Sequence, residues 1–240
     1  VRILAVCLLL SLFGYSCLTA WRRRQLRQWQ REWRLDELAP VFDTLYAPVD
    51  GFALSRAARE GRNAPEYTYG EVCFLPFAAL MCKAGLTRES VFWDLGSGTG
   101  RAVLIAAMVF EVRKSAGVEY FAPLHEAAKL AGERLSQTPG FAACANSLHF
   151  EHGNFLETDF YDATHVFINA SALFGDTWTL LVERLQALCP GTVVVVTSKR
   201  LPATFFTLTG TSVVEMSWGS VQAFLYQRNN TSDKQLDNIE

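Results

Sequence analysis

The 240-residue chain lacks the marks of several chemistries. It has no C-x-x-C pair. Neither its six cysteines (Cys7, Cys17, Cys73, Cys82, Cys144, Cys189) nor its histidines (His125, His149, His152, His165) fall at zinc-ligand spacing, so no metal site and no dense disulfide framework is expected. Free, mostly buried thiols remain as the reading, which favours a reducing compartment. No G-x-S-x-G elbow and no Walker lysine occur, so hydrolase and phosphate-loop chemistry fall away. Repeats and low-complexity blocks are absent as well. Basic excess is missing from most of the chain: seven Arg against one Glu give residues 1–34 a charge of +6, and the net charge of −2 then leaves −8 for residues 35–240. Nucleic-acid binding needs clustered Lys and Arg, so direct binding is disfavoured. What is present is material for a core. Half the residues are hydrophobic, with 17 Phe, 7 Tyr and 6 Trp, and the length fits one domain with an appendage.

From Ile3 to Trp21 no residue is charged, close to the ~20 apolar residues that cross a bilayer as a helix. An anchor is the preferred reading of residues 1–21. A cleaved secretory signal is the main rival, although its best cleavage site, Leu18-Thr19-Ala20, puts Leu where a small residue is wanted, and an interfacial helix comes third. Arg22, Arg23, Arg24 and Arg27 follow the run while Arg2 alone precedes it, which places the domain on the cytoplasmic or matrix side of a single-pass membrane protein. The alternative is a soluble intracellular protein. Residues 22–65 read as a basic stem, helix-favouring over 22–38 with Leu26, Trp29 and Trp33 on one face, then a Pro- and Gly-interrupted connection from Pro40 to Pro65. Residues 66–228 form the domain, and 229–240 a loose polar tail.

Within the domain, short apolar strands alternate with helices. Strands are expected at Val91–Leu95, Ala116–Glu119, Leu148–Glu151, Thr164–Asn169 and Thr192–Thr197, the last β-branched almost throughout and so central and buried on both faces. Helices are expected at Gly100–Phe110, Ala122–Ser136 and Asp176–Leu188. Strands near Ser212–Met216 and Val221–Tyr226 flank Ser217-Trp218-Gly219-Ser220 as a closing hairpin. This order predicts an α/β, doubly wound, mostly parallel seven-stranded sheet, Rossmann-like, with a C-terminal antiparallel hairpin and an N-terminal apolar helix.

The sharpest local signal is Val91-Phe92-Trp93-Asp94-Leu95-Gly96-Ser97-Gly98-Thr99-Gly100, a strand running into Gly-x-Gly-x-Gly and a helix. Such a bend admits a ligand against the backbone, with amides at the helix start free to meet it. Glu119, ending the second strand, supplies a carboxylate for both hydroxyls of a ribose.

Asp-x-Gly-x-Gly-x-Gly followed by that acid resembles the class I S-adenosylmethionine-dependent methyltransferases over roughly residues 66–228. A narrower resemblance rests on Tyr69-Gly70-Glu71, Asp94 to Gly100, Gly117-Val118-Glu119, Gly153-Asn154-Phe155, Val166-Phe167-Ile168-Asn169, Pro190-Gly191, Ser198-Lys199 and Ser217-Trp218, in that order. This is the order of the disruptor-of-telomeric-silencing family, the histone lysine methyltransferases without a SET domain.

The resemblance implies S-adenosyl-L-methionine as cofactor and a protein lysine or other amine as acceptor. Tyr69 and Glu71 resemble the loop that closes over the cofactor. Asp94, Gly96, Ser97, Gly98 and Gly100 would hold its methionine part and sugar, Glu119 the ribose, and Asn154 and Phe155 the adenine. Asn169 resembles the asparagine lining the methyl-transfer channel, where it would accept from an amine, and Glu71 would orient that amine or assist proton loss. Taken alone, Asn169 reads equally well as a cap at a strand end, and Glu71 as a solvated carboxylate. Asn154 stands where the family usually has Asp, a loss on the order of 1 kcal/mol in the adenine bond. Arg101 replaces a glutamine, and Ala170 a second asparagine. The apolar segment also resembles that of membrane-anchored mitochondrial lysine methyltransferases. Two alternatives stay open: a histone methyltransferase if that segment is no anchor, and a non-catalytic cofactor-binding scaffold of a membrane complex.

Overall fold

The computed structural model describes residue 24, residues 27–59 and residues 69–230. The expected anchor at 1–21, Arg22 and Arg23, and the tail from Thr231 lie outside the described residues. Among the described residues, no helix is long and apolar enough to cross a membrane. By its contacts the chain divides into two compact units, 1–41 and 42–240.

In the first unit, residues 27–32 are helical, and Arg34 then takes φ 53° before helix α1 (Leu35–Tyr46) begins. The stem is thus interrupted by a left-handed residue whose N–H closes a turn on the Arg31 carbonyl at 3.1 Å.

The stretch expected as an irregular connection instead holds the second half of α1 and α2 (Gly51–Ala58). Pro40 lies inside α1; its fixed φ is helical, and the ring removes one N–H. Asp50 caps α2, its carboxylate accepting from the Ala53 N–H at 2.9 Å. The Phe42 ring packs 4.8 Å from Tyr46 and 5.0 Å from Phe74, so the sheet-bearing unit starts near Phe42 rather than at residue 66.

The elements then follow as α3 (Phe74–Lys83), β1 (Val91–Leu95), α4 (Arg101–Phe110), β2 (Lys114–Glu119), α5 (Ala122–Gln137), α6 (Ala142–Ala145) and β3 (Leu148–His152). After β4 (His165–Ile168) come a 3-10 turn at Ala170–Ala172, α7 (Gly175–Gln186), β5 (Val193–Thr197), β6 (Phe206–Met216) and β7 (Gly219–Arg228). The seven strands lie in the order β3-β2-β1-β4-β5-β7-β6. The first five are parallel, while β7 runs antiparallel between β5 and β6. This is the doubly wound sheet with its closing hairpin.

Alternation along β1 sends Val91, Trp93 and Leu95 to one face, where they meet Leu181 and Leu185 of α7. Phe92 faces the other way. There Phe77 of α3 is fully buried, edge-on to Phe167 at 4.9 Å and Phe92 at 6.3 Å. Phe77→Ala is expected to cost ~3–5 kcal/mol, read as a lowered urea midpoint at unchanged slope. A change below ~1 kcal/mol would mean that α3 is not part of this core.

The described thiols are free, as expected, but less buried than expected. Cys73, Cys82 and Cys144 are free and half-buried, and Cys189 is free and exposed. Burial pushes the Cys144 thiol up to about 12. Asn229, expected in the loose tail, is tied down: its N–H donates to Phe205 O at 2.9 Å and its Oδ1 accepts from Thr207 at 2.6 Å.

Candidate active site

Beyond β1 the chain bends sharply. The Gly96 and Ser97 amides both donate to Val118 O at 2.9 Å, tying the bend to β2, and Gly100 N–H donates to Ser97 O at 2.8 Å. Glu119 faces the bend. Its Oε2 accepts from Gly98 N–H and its Oε1 from Phe121 N–H, both at 2.8 Å. The loop amides expected to be free are therefore largely engaged, and those left for a ligand are in the first turn of α4, which has no capping side chain. The Glu119 carboxylate keeps lone-pair capacity for a hydroxyl. Burial raises the Glu119 pKa, and the amides that Glu119 accepts from oppose the rise.

A roof covers the bend. Gly98 has φ 56°, and a Cβ there would fall 2.9 Å from the Tyr69 ring. The Tyr69 hydroxyl donates to Glu71 Oε1 at 2.8 Å and lies 3.2 Å from Thr99 Oγ1, which donates to the same carboxylate oxygen at 3.2 Å. Burial, and then the neighbouring Glu71, push the Tyr69 phenol well above its ordinary value, so it stays neutral. From below, Tyr46 donates to Thr99 O at 3.0 Å.

The roof is also fastened to the β6–β7 turn. Glu71 N–H donates to Ser217 Oγ, Ser217 N–H donates to Glu71 O, both at 2.9 Å, and Val72 bridges Met216. Trp218 lies against Gly70, where a Cβ would fall 2.0 Å from the indole ring. Glu71 is not the solvated carboxylate of the isolated reading, since its side chain is 15 % exposed and Arg101 Nη1 stands 3.7 Å from Oε2.

Between bend and roof lies a cavity of about 380 Å³ at the C-terminal ends of β1, β2 and β4. Tyr69, Glu71, Asp94, Gly96, Ser97, Gly98, Glu119, Asn154, Phe155 and Asn169 all line it. Gly100 does not. A Cβ there would meet Phe150 and Ala128 at 2.8 and 2.9 Å, so this glycine lets β3 and α5 approach the start of α4 rather than touching a ligand.

Asn169 departs from both of its expected roles. Its Oδ1 accepts from Thr197 Oγ1 at 2.8 Å and Ser171 Oγ at 3.0 Å, which fills both lone pairs, and its side chain caps no turn. It cannot accept from an amine in this arrangement. Asn154 Oδ1 accepts from Leu156 N–H at 3.0 Å, so the oxygen expected to meet adenine also closes an Asx turn. Sequence reasoning missed Thr99, the hub of the roof, and Ser55 of α2, which lines the cavity from a stretch read as irregular.

The histidines stand apart. His165 Nε2 lies 3.2 Å from Ala84 O, and His125 stacks on His152 with ring centroids 5.4 Å apart. Among the described residues, no cluster of His, Cys, Asp and Glu could hold a metal.

Asp94 has no side-chain hydrogen-bond partner among the described residues although it is buried, and the Ser97 hydroxyl is buried and unpartnered too. Burial first, and then Glu119, push the Asp94 carboxyl up to about 8. A raised carboxyl favours the ligand-free fold at low pH. Stability is fully present below about pH 4, where the unfolded chain also holds the proton, falls as pH rises toward about 8, and is level above that. Melting temperatures from pH 5 to 9 should show this slope in wild type and flatten it in Asp94→Asn; parallel curves would refute the assignment.

A buried carboxylate without a partner, an orphan hydroxyl and an acid with lone pairs to spare suit a cationic nucleoside. The residues present fit S-adenosylmethionine. Fold and site together define a class I S-adenosylmethionine-dependent methyltransferase. The family described as histone methylation protein DOT1 matches residues 55–232, and the chain belongs to it.

Among solved structures, an RNA methyltransferase from Salinibacter ruber in complex with S-adenosyl-L-homocysteine shares 25% identity, with a TM-score of 0.51, covering 65% of this chain and 92% of that one. A tRNA (m1A58) methyltransferase from Aquifex aeolicus has the same fold at 12% identity and a TM-score of 0.51, covering 67% and 71%. No curated protein matches in sequence.

Proposed function

We propose that this methyltransferase modifies a protein lysine or a similar amine, and that residues 3–21 tether it to a membrane with the domain on the cytoplasmic or matrix side. The observation that carries the amine reading is Glu71, an acid held in the roof of the cavity by Tyr69 and Thr99 in a chain of the histone-methylation family. The tether is supported by the uncharged run and the arginines behind it. An RNA acceptor is the second reading, suggested by the Salinibacter ruber relative, and the charge of −8 over residues 35–240 counts against it.

S-adenosylmethionine supplies a methyl group on a sulfonium, open to in-line displacement by a neutral nucleophile. The chain's part is mainly positioning. Glu119 and the bend would hold the sugar, and positive charge beside Asp94 would draw off the proton that burial keeps there, leaving a carboxylate to face it. The cavity disfavours the ammonium form of an entering amine by desolvation. Glu71 orients the amine and accepts its hydrogen bond. Asn169, its oxygen already engaged, acts as a fixed wall and presents an amide donor.

Full-length protein in detergent, incubated with labelled S-adenosylmethionine and fractionated membrane protein, soluble protein or RNA, tests this reading. Label recovered on lysine after protein digestion is expected; label in RNA alone would overturn it. Carbonate extraction of full-length and 22–240 chains tests the tether, which predicts that only the former stays with membranes.

A further inference from the structure

We infer that Arg101 is the carboxylate receptor of the cavity, selecting nucleoside ligands that carry an amino-acid carboxylate over those that do not. The inference rests on the S-adenosylmethionine reading and adds a specificity-determining residue to it. Among the described residues lining the cavity, Glu71, Asp94 and Glu119 are acidic and Arg101 is the one cation. No other described side chain lining the cavity can answer a ligand's carboxylate with positive charge.

The guanidinium is built for that role. Its Cζ lies 4.9 Å from the Phe42 ring centroid and 4.6 Å from that of Tyr46, and its Nε donates to Val72 O at 3.3 Å, so its orientation is fixed. Its remaining donors have little to do. The approach to Glu71, at 3.7 Å, is an ion pair longer than a hydrogen bond, and the side chain is 21 % exposed. Arg101 also opens α4, so the fork and the unpaired first-turn amides favour negative charge at one place. Glu71 holds the guanidinium until a ligand carboxylate takes its two Nη groups.

Calorimetric titration of the full chain with S-adenosylhomocysteine and with its decarboxylated analogue, 5′-deoxy-5′-(3-aminopropylthio)adenosine, reads this directly. Wild type should prefer the carboxylated ligand roughly ten- to a hundredfold. In Arg101→Gln the two affinities should converge to within about threefold, with that for the analogue unchanged, and Arg101→Lys should keep part of the preference. If the glutamine variant weakens both ligands by one factor, or keeps the preference, the inference fails while the cofactor reading stands. If wild type binds neither nucleoside, the cofactor reading fails first. Should the variants not fold, wild type alone decides: the carboxamide of S-adenosylhomocysteine must lose the same factor, and equal binding of acid and amide overturns the proposal.

Discussion

Glu119→Ala is expected to lower the affinity for S-adenosylhomocysteine by roughly a hundredfold, and Gly98→Trp to abolish it. Removing the carboxylate takes away the acceptor for sugar hydroxyls and leaves the Gly98 and Phe121 amides, now bonded at 2.8 Å, without their partner. The bend then loses its cross-link to the end of β2, so preorganisation is lost as well. The tryptophan acts by volume. Position 98 has a left-handed φ, and even a Cβ there meets the Tyr69 ring at 2.9 Å, so an indole must either fill the cavity or lift the roof. Titration of both variants, with circular dichroism to confirm the fold, checks this. Wild-type affinity in both would remove the methyl-donor site from this cavity.

Glu71→Gln is expected to reduce kcat by about 10²–10³-fold while the affinity for S-adenosylhomocysteine changes by less than about threefold. The amide keeps an oxygen for Tyr69 and Thr99, so the roof stays in place, but it no longer offers a carboxylate to the acceptor amine. Tyr69→Phe, which removes one bond to that carboxylate, should lower kcat less. Single-turnover methyl transfer separates the two effects from product release. An unchanged kcat in the glutamine variant would reassign Glu71 to structure alone.

Most of the sheet was legible because its signals are local. Val91–Leu95 was bounded to the residue, since an apolar run meets a glycine bend there. Strand β6 was cut short at Ser212 because Thr207, Thr209 and Thr211 dilute its alternation on an edge strand that begins at Phe206. Helix α3 went unread: its apolar residues run almost continuously, with no polar face to set a 3.6-residue period. The cavity floor was legible because Asp94, the glycines and Glu119 lie in consecutive elements. The roof was not, because Glu71 meets Ser217 across 146 positions of sequence. Asn169 shows the remaining limit, since a residue's position at a strand end does not reveal that two hydroxyls already fill its oxygen.

The strand synthesised last in the sheet, β7, is an interior one, joining β5 to β6. A nascent chain emerging from the ribosome therefore carries β5 with one edge open until the region around Arg228 has appeared, and the roof has no anchor at residues 216–218 until then. A stalled or truncated product would expose the β-branched run Val193–Thr197 to other chains. Such products are expected to need a chaperone, and premature termination between β5 and β7 to yield aggregates rather than a weakened enzyme.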